Sequence, residues 1–282
     1  MSSMNEITII VNTCDAYEDI WELFFRAFLE YWPNCKYNII LNTENKKIKS
    51  ATLPITTHNY RSLDGKDKWG FRLRETLNKC ETKYVVMLYD DFILEGAVDQ
   101  WKILNCVKWL NENLEVAVFY FLNISTNVNL DDGRFDDFEL LPKYGDYKLN
   151  SAPAIWRREA LLKFVGIHDN PWAWEYFGSY RTYSGESLFY CTKKNCENIY
   201  PYNYKMGGAI YRGKWVYKIV QPLMDKYGLN IDVAARGVAD EVAQNNKRSL
   251  RWKIDFFIIG FKMIKFGICV FMYRIFKNKC FK

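Results

Sequence analysis

A continuous apolar run, YVVMLY at residues 84–89, is followed without a break by Asp90 and Asp91. Such a run predicts a strand that is buried on both faces, as strands are in parallel sheets covered by helices. Two carboxylates at the end of a buried strand are costly unless a cation accompanies them. The run therefore predicts an α/β sheet and, at its edge, a site for a positively charged partner.

The rest of the chain alternates between strand-like and helix-like patterns. Short apolar runs predict further strands at residues 7–11, 37–41, 55–58 and 116–122. Helical spacing of apolar residues predicts helices over 17–29, 68–80, 97–110 and 156–165, the first with Asp15 and Glu18 at capping-box spacing. This alternation predicts a mostly parallel, Rossmann-type sheet flanked by helices on both faces.

Polar residues follow three of the predicted strands, at 12–15, 42–44 and 90–91. Ligands of such sheets gather at the carboxyl ends of the strands. The topology alone therefore places the acidic pair in a cleft.

Asp90 and Asp91 are suited to a hard divalent cation, Mg²⁺ or Mn²⁺, which prefers oxygen ligands. A cation there would stabilise a nucleoside-diphosphate leaving group. The alternative is that one aspartate caps the helix that begins near Ala97 and the other is solvated.

Composition excludes some classes of protein. Nearly half of the 282 residues are hydrophobic, so a sizeable core is expected. The eight cysteines form no CxxC pair and there are two histidines, which argues against a zinc site and favours reduced thiols in a cytoplasmic protein. The N-terminal residues lack the basic and apolar regions of a secretory signal.

The segment 247–282, KRSLRWKIDFFIIGFKMIKFGICVFMYRIFKNKCFK, is apolar but interrupted by charges. No stretch of about 20 residues is free of charge, so a spanning helix is disfavoured. A basic amphipathic segment that associates with an anionic membrane surface fits better. The alternative is a helix that packs its apolar face on the core and leaves the rest as solvated charge.

Three stretches resemble bacterial GT-A-fold nucleotide-sugar glycosyltransferases of surface-polysaccharide (capsule or O-antigen) biosynthesis. They are WGFRLRETL with KYVVMLYDDFIL (69–77, 83–94), PAIWRREALLK with NPWAWE (153–163, 170–175), and GGAIYRGKW (207–215). The resemblance implies a GT-A-like catalytic domain over 1–246, with a nucleotide-binding half at about 1–122 and an acceptor-side half at about 123–246. The segment 247–282 would follow as the membrane-associating part.

The resemblance also implies roles for individual residues. Thr13 and Asp15 would contact the nucleoside, with Asn42 or Glu44 lining the same pocket. Arg72 would reach a phosphate or the base, unless it is a surface arginine. Asp90 and Asp91 would hold the metal and the donor diphosphate. Because Tyr89 stands where a stricter Asp-x-Asp motif has its first carboxylate, Asp91 is favoured as the metal ligand.

On the acceptor side, Glu175 is the candidate base for the acceptor hydroxyl in an enzyme of the inverting type. A retaining enzyme would instead use it to orient the donor, and the structural alternative is a glutamate that caps a helix or is solvated. Trp172 and Trp174 flank Glu175 and offer aromatic faces for a sugar ring; the alternative is that both are core residues. Arg212 and Lys214, in a glycine-rich context, would neutralise the departing diphosphate, or simply form a basic turn.

These observations predict a hexosyltransferase-type enzyme that moves a sugar from a UDP-sugar to a saccharide or polyprenyl-diphosphate-linked acceptor, peripherally at the inner face of the cell membrane. One alternative is another metal-dependent nucleotide-using enzyme such as a nucleotidyltransferase, although residues 12–17 lack the Gly and Lys of a phosphate loop. The other alternative is a noncatalytic protein that binds a membrane surface or nucleic acid. Paired carboxylates disfavour nucleic acid because they repel phosphate when no metal is bound.

Overall fold

The computed structural model describes residues 6–48, 50, 52–60, 69–124, 129–239, 249–265 and 267. Eight of the described strands form one sheet: β1 Ile7–Asn12, β2 Asn38–Thr43, β3 Ile55–Asn59, β4 Tyr84–Tyr89, β5 Val116–Tyr120, β6 Phe138–Leu140, β7 Ala154–Arg157 and β8 Leu188–Thr192. Two more, β9 Ile210–Tyr211 and β10 Lys214–Trp215, form a separate hairpin.

The strand order in the large sheet is β3-β2-β1-β4-β7-β5-β8-β6. Strands β1 to β4, β5 and β8 run in the same direction, whereas β6 and β7 run against their neighbours. The predicted α/β fold with a mostly parallel sheet is thus confirmed.

The described α-helices are α1 Glu18–Tyr31, α2 Trp69–Lys79, α3 Gln100–Glu112, α4 Arg158–Phe164, α5 Pro171–Ala173, α6 Tyr217–Tyr227, α7 Val233–Arg236 and α8 Leu250–Ile264. Helix α1 buries the apolar face that its spacing predicts, including Trp21, Phe24 and Phe28. The predicted capping box is wrong, because Tyr17 is the N-cap of α1 and makes no side-chain cap bond. The Asp15 carboxylate instead accepts bonds from the backbone of Asn45 and Lys46.

The helix predicted over 156–165 is corrected at its start. Trp156 belongs to β7, where it pairs with Val85 on one side and Val118 on the other. The apolar residues before Arg157 fill the gap between β4 and β5, and this pairing outweighs the helical spacing of the segment. Only then does α4 begin, at Arg158.

The order in which the chain adds strands to the sheet reverses at β1. Strands β2 and β3 extend the sheet on one side of β1, and β4 lies on its other side. Asn12 at the end of β1 is in register with Asn42 of β2 and with Tyr89 of β4. The three polar strand ends therefore meet at one edge, as predicted, and at the point where such sheets bind ligands.

Only residues 249–265 and 267 of the predicted segment 247–282 are described, so Cys269 and Cys280 lie outside the description. The six cysteines of the described part are free thiols. No helix in the described ranges combines the length and apolarity needed to cross a membrane.

Candidate active site

A cavity of about 1700 Å³ opens at the edge of the sheet where the polar strand ends meet. Its wall combines residues from both halves of the chain. The residues predicted from sequence that line it are Thr13, Glu44, Arg72, Asp90, Asp91, Trp172, Glu175 and Arg212. The fold thus brings together most of the predicted site.

Asp91 lies directly after β4 and faces this cavity. Burial raises the pKa of its carboxyl from 3.8 to about 7. The backbone N–H of Ala209 donates to the Asp91 carbonyl at 2.8 Å and ties the residue to the segment before β9. Asp91 is therefore a positioned carboxylate whose charge is poorly compensated by the protein itself.

The Asp90 side chain is buried and hydrogen-bonded to other residues of the protein. It is 2% exposed. Its carboxylate accepts a bond from the Thr13 hydroxyl and another, of 3.1 Å, from the Trp21 indole. Burial, with the nearby Asp91 charge, raises the Asp90 pKa well above its usual value. The helical spacing of Trp21 predicted its burial but not its bond to Asp90. A buried indole N–H needs a hydrogen-bond partner, and this need was the only signal for the bond in the sequence.

A divalent cation requires several oxygen ligands. The described residues contain no cluster of three or more His, Cys, Asp or Glu side chains that would hold a metal. Mg²⁺ is commonly held by one or two carboxylates together with substrate phosphates and water. Asp91, a cavity-facing carboxylate with a raised pKa, fits that mode. The site suits a cation that arrives with a diphosphate, not a preformed metal centre.

Arg72 is a buried residue of α2, so it is not the surface arginine of the alternative interpretation. Its guanidinium donates to the Thr13 carbonyl at 3.1 Å and to the Glu44 carboxylate at 3.2 Å. The other Glu44 oxygen accepts a bond of 3.0 Å from the backbone of Asp15. Arg72 therefore joins the loop after β1 to the loop after β2 and fixes one end of the cavity.

Four of the predicted residues, Asn42, Asp15, Lys214 and Trp174, do not line the cavity. Asn42 is buried beneath it, where its side chain bonds Asn12 at 3.0 Å. Asp15 uses its carboxylate to hold the loop after β2. Lys214 is exposed on β10 and outside the cavity. Asn42 and Asp15 shape the pocket from behind.

The two tryptophans around Glu175 are separated by the fold. Trp172 is 61% exposed and lines the cavity. Trp174 is fully buried, packs against Trp69 and Trp156, and donates its indole N–H to the Phe164 carbonyl at 3.1 Å. The prediction that Trp174 offers an aromatic face to a sugar ring is therefore wrong, because its ring lies in the core. Trp172 alone offers its face to a ligand.

Glu175 lies on a π-helical turn, Trp174–Gly178, and lines the cavity. The backbone N–H of Ser151 donates to its Oε1 atom at 2.7 Å. Burial raises the Glu175 pKa, while the bond from Ser151 acts in the opposite direction. The result is an oriented carboxylate that is more basic than an exposed glutamate. Ser151 was missed by the sequence because it acts through its backbone.

The glycine-rich stretch 207–215 passes closely over Asp91. Gly208 has φ +95°, and a Cβ atom there would lie 2.8 Å from the Asp91 carbonyl oxygen. Further along, Arg212 (φ +53°) and Gly213 (φ +80°) form the turn between β9 and β10, which brings Arg212 to the cavity wall. The glycine at 208 is thus required by a close backbone approach.

We expect Gly208→Ala to displace Asp91 and weaken Mn²⁺-dependent nucleotide binding by at least about tenfold, since 1.4 kcal/mol of misplacement is enough for that. Isothermal titration calorimetry with UDP and Mn²⁺ measures it. Gly228→Ala is the matched control, because Gly228 also has a positive φ but has nothing within 4 Å of its Cβ position. Equal binding by the two variants would show that the close approach to Asp91 is unimportant.

No family model and no curated protein matches the sequence. Among solved structures, the chain is similar to S. aureus TarS 1-349 in complex with UDP, with 11% identity, 82% of this chain and 68% of that chain covered, and a TM-score of 0.45. It is similar to a longer S. aureus TarS structure, with 9% identity and a TM-score of 0.44; the match covers 82% of this chain and 41% of that chain. It is also similar to a cytidylyltransferase from Leptospira borgpetersenii serovar Hardjo-bovis, with 10% identity and a TM-score of 0.40; the match covers 86% of this chain and 99% of that chain.

The chain therefore spans less than half the length of the longer TarS structure. Likenesses this distant carry no information about activity. What the protein does has to be inferred from the residues of its own site.

Proposed function

We propose that the protein is a glycosyltransferase that moves a hexose from a nucleoside-diphosphate sugar, with a UDP-sugar as the expected donor, to a saccharide acceptor. The observation that carries the proposal is the meeting of Asp91 and Glu175 in one cavity. Sugar transfer needs charge compensation at the departing diphosphate and a base at the acceptor hydroxyl. Asp91, with a bound cation, supplies the first and Glu175 supplies the second.

Glu175 takes the proton of the acceptor hydroxyl while that oxygen forms its bond to the anomeric carbon of the donor. The bond from the anomeric carbon to the diphosphate breaks, and its electron pair leaves with the diphosphate. The Ser151 N–H holds the Glu175 carboxylate in place during this transfer. A divalent cation, Mg²⁺ or Mn²⁺, would neutralise the charge that develops on the leaving diphosphate.

The nucleoside is assigned to the end of the cavity formed by Thr13, Glu44 and Arg72, since these residues follow β1 and β2 at the switch point of the sheet. Arg212, which also lines the cavity, is assigned to the diphosphate. Trp172 is assigned to a sugar ring of the acceptor. Asn42 and Asp15 support the nucleoside end from behind.

The acceptor is proposed to be a saccharide carried on a membrane lipid, in the synthesis of a surface polysaccharide. Helix α8 packs one side, including Phe256 and Ile259, against Phe177. Its other side exposes large apolar residues: Leu250, Ile254, Phe257, Ile258 and Phe261, the last of which also lines the cavity. This apolar surface does not fit the alternative in which the outer side is solvated charge. Together with the basic residues Arg251 and Lys253, it suits an anionic lipid surface.

We expect the Phe257→Asp/Ile258→Asp double variant to bind lipid vesicles at least about fivefold less than wild type, because burying such half-exposed side chains is worth about 1 kcal/mol each. Cosedimentation with vesicles of 30% phosphatidylglycerol in phosphatidylcholine measures the bound fraction. Leu114→Asp/Ile167→Asp is the control, because it charges two exposed apolar residues away from α8. Unchanged binding of the α8 variant would contradict a peripheral membrane location.

The test of the proposed function is a panel of nucleotide sugars, each assayed for binding and for release of the nucleoside diphosphate with and without Mn²⁺. The proposal expects one UDP-sugar to bind with a Kd that depends on the cation and on Asp91. A nucleotidyltransferase would instead bind UTP or CTP and release pyrophosphate. A protein that binds none of these compounds would contradict both enzyme classes and leave the noncatalytic binder.

A further inference from the structure

Three buried polar atoms near Glu175 make no hydrogen bond of good geometry with the residues that the structure describes. They are the indole Nε1 of Trp69, the hydroxyl of Tyr89 and the hydroxyl of Ser151. Trp69 is 7% exposed and Ser151 is 9% exposed, and all three side chains line the cavity. Leaving such an atom unsatisfied costs about 1–3 kcal/mol. A cluster of three in a cavity wall therefore marks a place where a bound group supplies the missing bonds.

The three side chains form one group. Burial raises the pKa of Tyr89, and weak hydrogen bonding of its hydroxyl with the side chains of Ser151 and Trp69 acts in the opposite direction, so the three polar groups are close together. Trp69 begins α2, Tyr89 ends β4, and Ser151 precedes β7. Only the tertiary structure brings these positions together.

The cluster lies in the same cavity as the two carboxylates and within reach of the charge of both. Glu175 and Asp91 both act on the Tyr89 hydroxyl by their charge. Tyr89 directly precedes the Asp90-Asp91 pair, and the backbone of Ser151 holds Glu175. In sugar transfer, the ring being moved occupies the space between the diphosphate and the acceptor hydroxyl. A cluster close to both carboxylates is therefore suited to contact that ring.

The donors and acceptors of the cluster match a sugar hydroxyl. An indole N–H only donates, whereas the hydroxyls of Tyr89 and Ser151 both donate and accept. A sugar hydroxyl also donates and accepts, so it can satisfy several of these atoms at once. The three residues carry no charge and would not select for a carboxylate or an ammonium group.

We infer that Trp69, Tyr89 and Ser151 form the pocket that binds hydroxyl groups on the sugar ring of the donor and so determine which sugar is transferred. The inference rests on the proposed function and names the part of the donor that these residues recognise. It separates recognition of the sugar from recognition of the nucleotide, which lies at the Thr13, Arg72 end of the cavity.

Calorimetric titration in the presence of Mn²⁺ tests this with two ligands. One is UDP; the other is whichever of UDP-glucose, UDP-galactose and UDP-N-acetylglucosamine binds the wild-type protein most tightly. We expect Tyr89→Phe and Ser151→Ala each to weaken UDP-sugar binding by roughly 5- to 30-fold, as loss of 1–2 kcal/mol implies. UDP binding should change less than about twofold, because UDP has no sugar ring beyond its ribose. Tyr144→Phe is the control, since Tyr144 is 57% exposed and outside the cavity.

Thermal unfolding without ligand provides a second measurement. Each substitution removes a hydroxyl that makes no hydrogen bond of good geometry in the described protein, so Tm should stay the same or rise. A fall in Tm with equal losses of UDP and UDP-sugar affinity would show a structural role and overturn the inference. Unchanged UDP-sugar affinity would also overturn it, whether the cluster holds water only or binds a hydroxyl of the acceptor.

The same titration distinguishes failure of the inference from failure of the proposed function. If the wild-type protein binds neither UDP nor any UDP-sugar of the panel, the proposed function fails and the inference with it. If the wild type binds both and Asp91→Asn weakens both, the function stands. The two hydroxyl variants then decide the inference alone.

Discussion

Replacement of Asp91 by Asn is expected to reduce sugar transfer by roughly 10³-fold while the protein stays folded. Asn has nearly the same shape but lacks the charge that would hold a cation at the donor diphosphate. A cation that stabilises a leaving group contributes several kcal/mol to the transition state, and each 1.36 kcal/mol is tenfold in rate. The measurement is the initial rate of transfer or of donor hydrolysis at saturating Mn²⁺.

The control for this variant is Asp99→Asn. Asp99, not Asp90 or Asp91, is the N-cap of α3 and accepts a bond of 3.0 Å from the backbone of Lys102. Asn caps a helix about as well as Asp, so this variant should keep full activity. Full activity of Asp91→Asn, together with activity that survives a chelator, would refute the assignment of Asp91 as a metal ligand.

The raised pKa of Asp91 adds a dependence on pH. In the folded protein without ligand the pKa is about 7, against 3.8 as its ordinary value, so the folded state binds more protons between those values. Stability that this carboxyl contributes is therefore lost as pH rises from about 4 to 7. We expect Asp91→Asn to raise Tm at pH 8, where the wild-type carboxyl is ionised, and to change it little at pH 4. A lower Tm at pH 8 would contradict the poorly compensated charge.

Replacement of Glu175 by Gln is the second large effect. We expect kcat to fall by about 10²- to 10⁴-fold, the range for loss of a general base, with little change in the KM of the donor. The Gln side chain can still accept the bond from Ser151 N–H, so the turn that carries it should keep its structure. The pH–rate profile should lose the rise that reports deprotonation of Glu175 in the wild-type protein.

Glu139→Gln is the matched control for Glu175→Gln. Glu139 is a partly buried glutamate that accepts a bond of 2.7 Å from Asn123 and lies outside the cavity. The control should keep wild-type kcat and pH dependence. If both variants lose activity equally, or if Glu175→Gln raises only KM, Glu175 is not the base.

Local sequence patterns predicted the strands well because a strand buried on both faces has to be apolar along its whole length. Residues 7–11 and 84–89 are of this kind, and each ends in polar residues that the parallel topology brings to one edge. Strands β6, β7 and β8 of the large sheet were missed. The strand β7 is only four residues long, too short to show a periodic pattern. Its place in the sheet depends on pairing with β4 and β5, which are distant in sequence.

The sequence by itself determined the α/β class and the edge at which the polar strand ends meet. Both follow from the order of the apolar runs. The preference for Asp91 over Asp90 as a metal ligand rests on a family resemblance and stays a prediction. Only the tertiary structure decided that Asp90 is bound by Thr13 and Trp21, that Trp174 is core while Trp172 faces the cavity, and that Ser151 holds Glu175. The physical reason is that hydrogen bonds and burial depend on which segments pack together, and the residues that pack here are far apart along the chain.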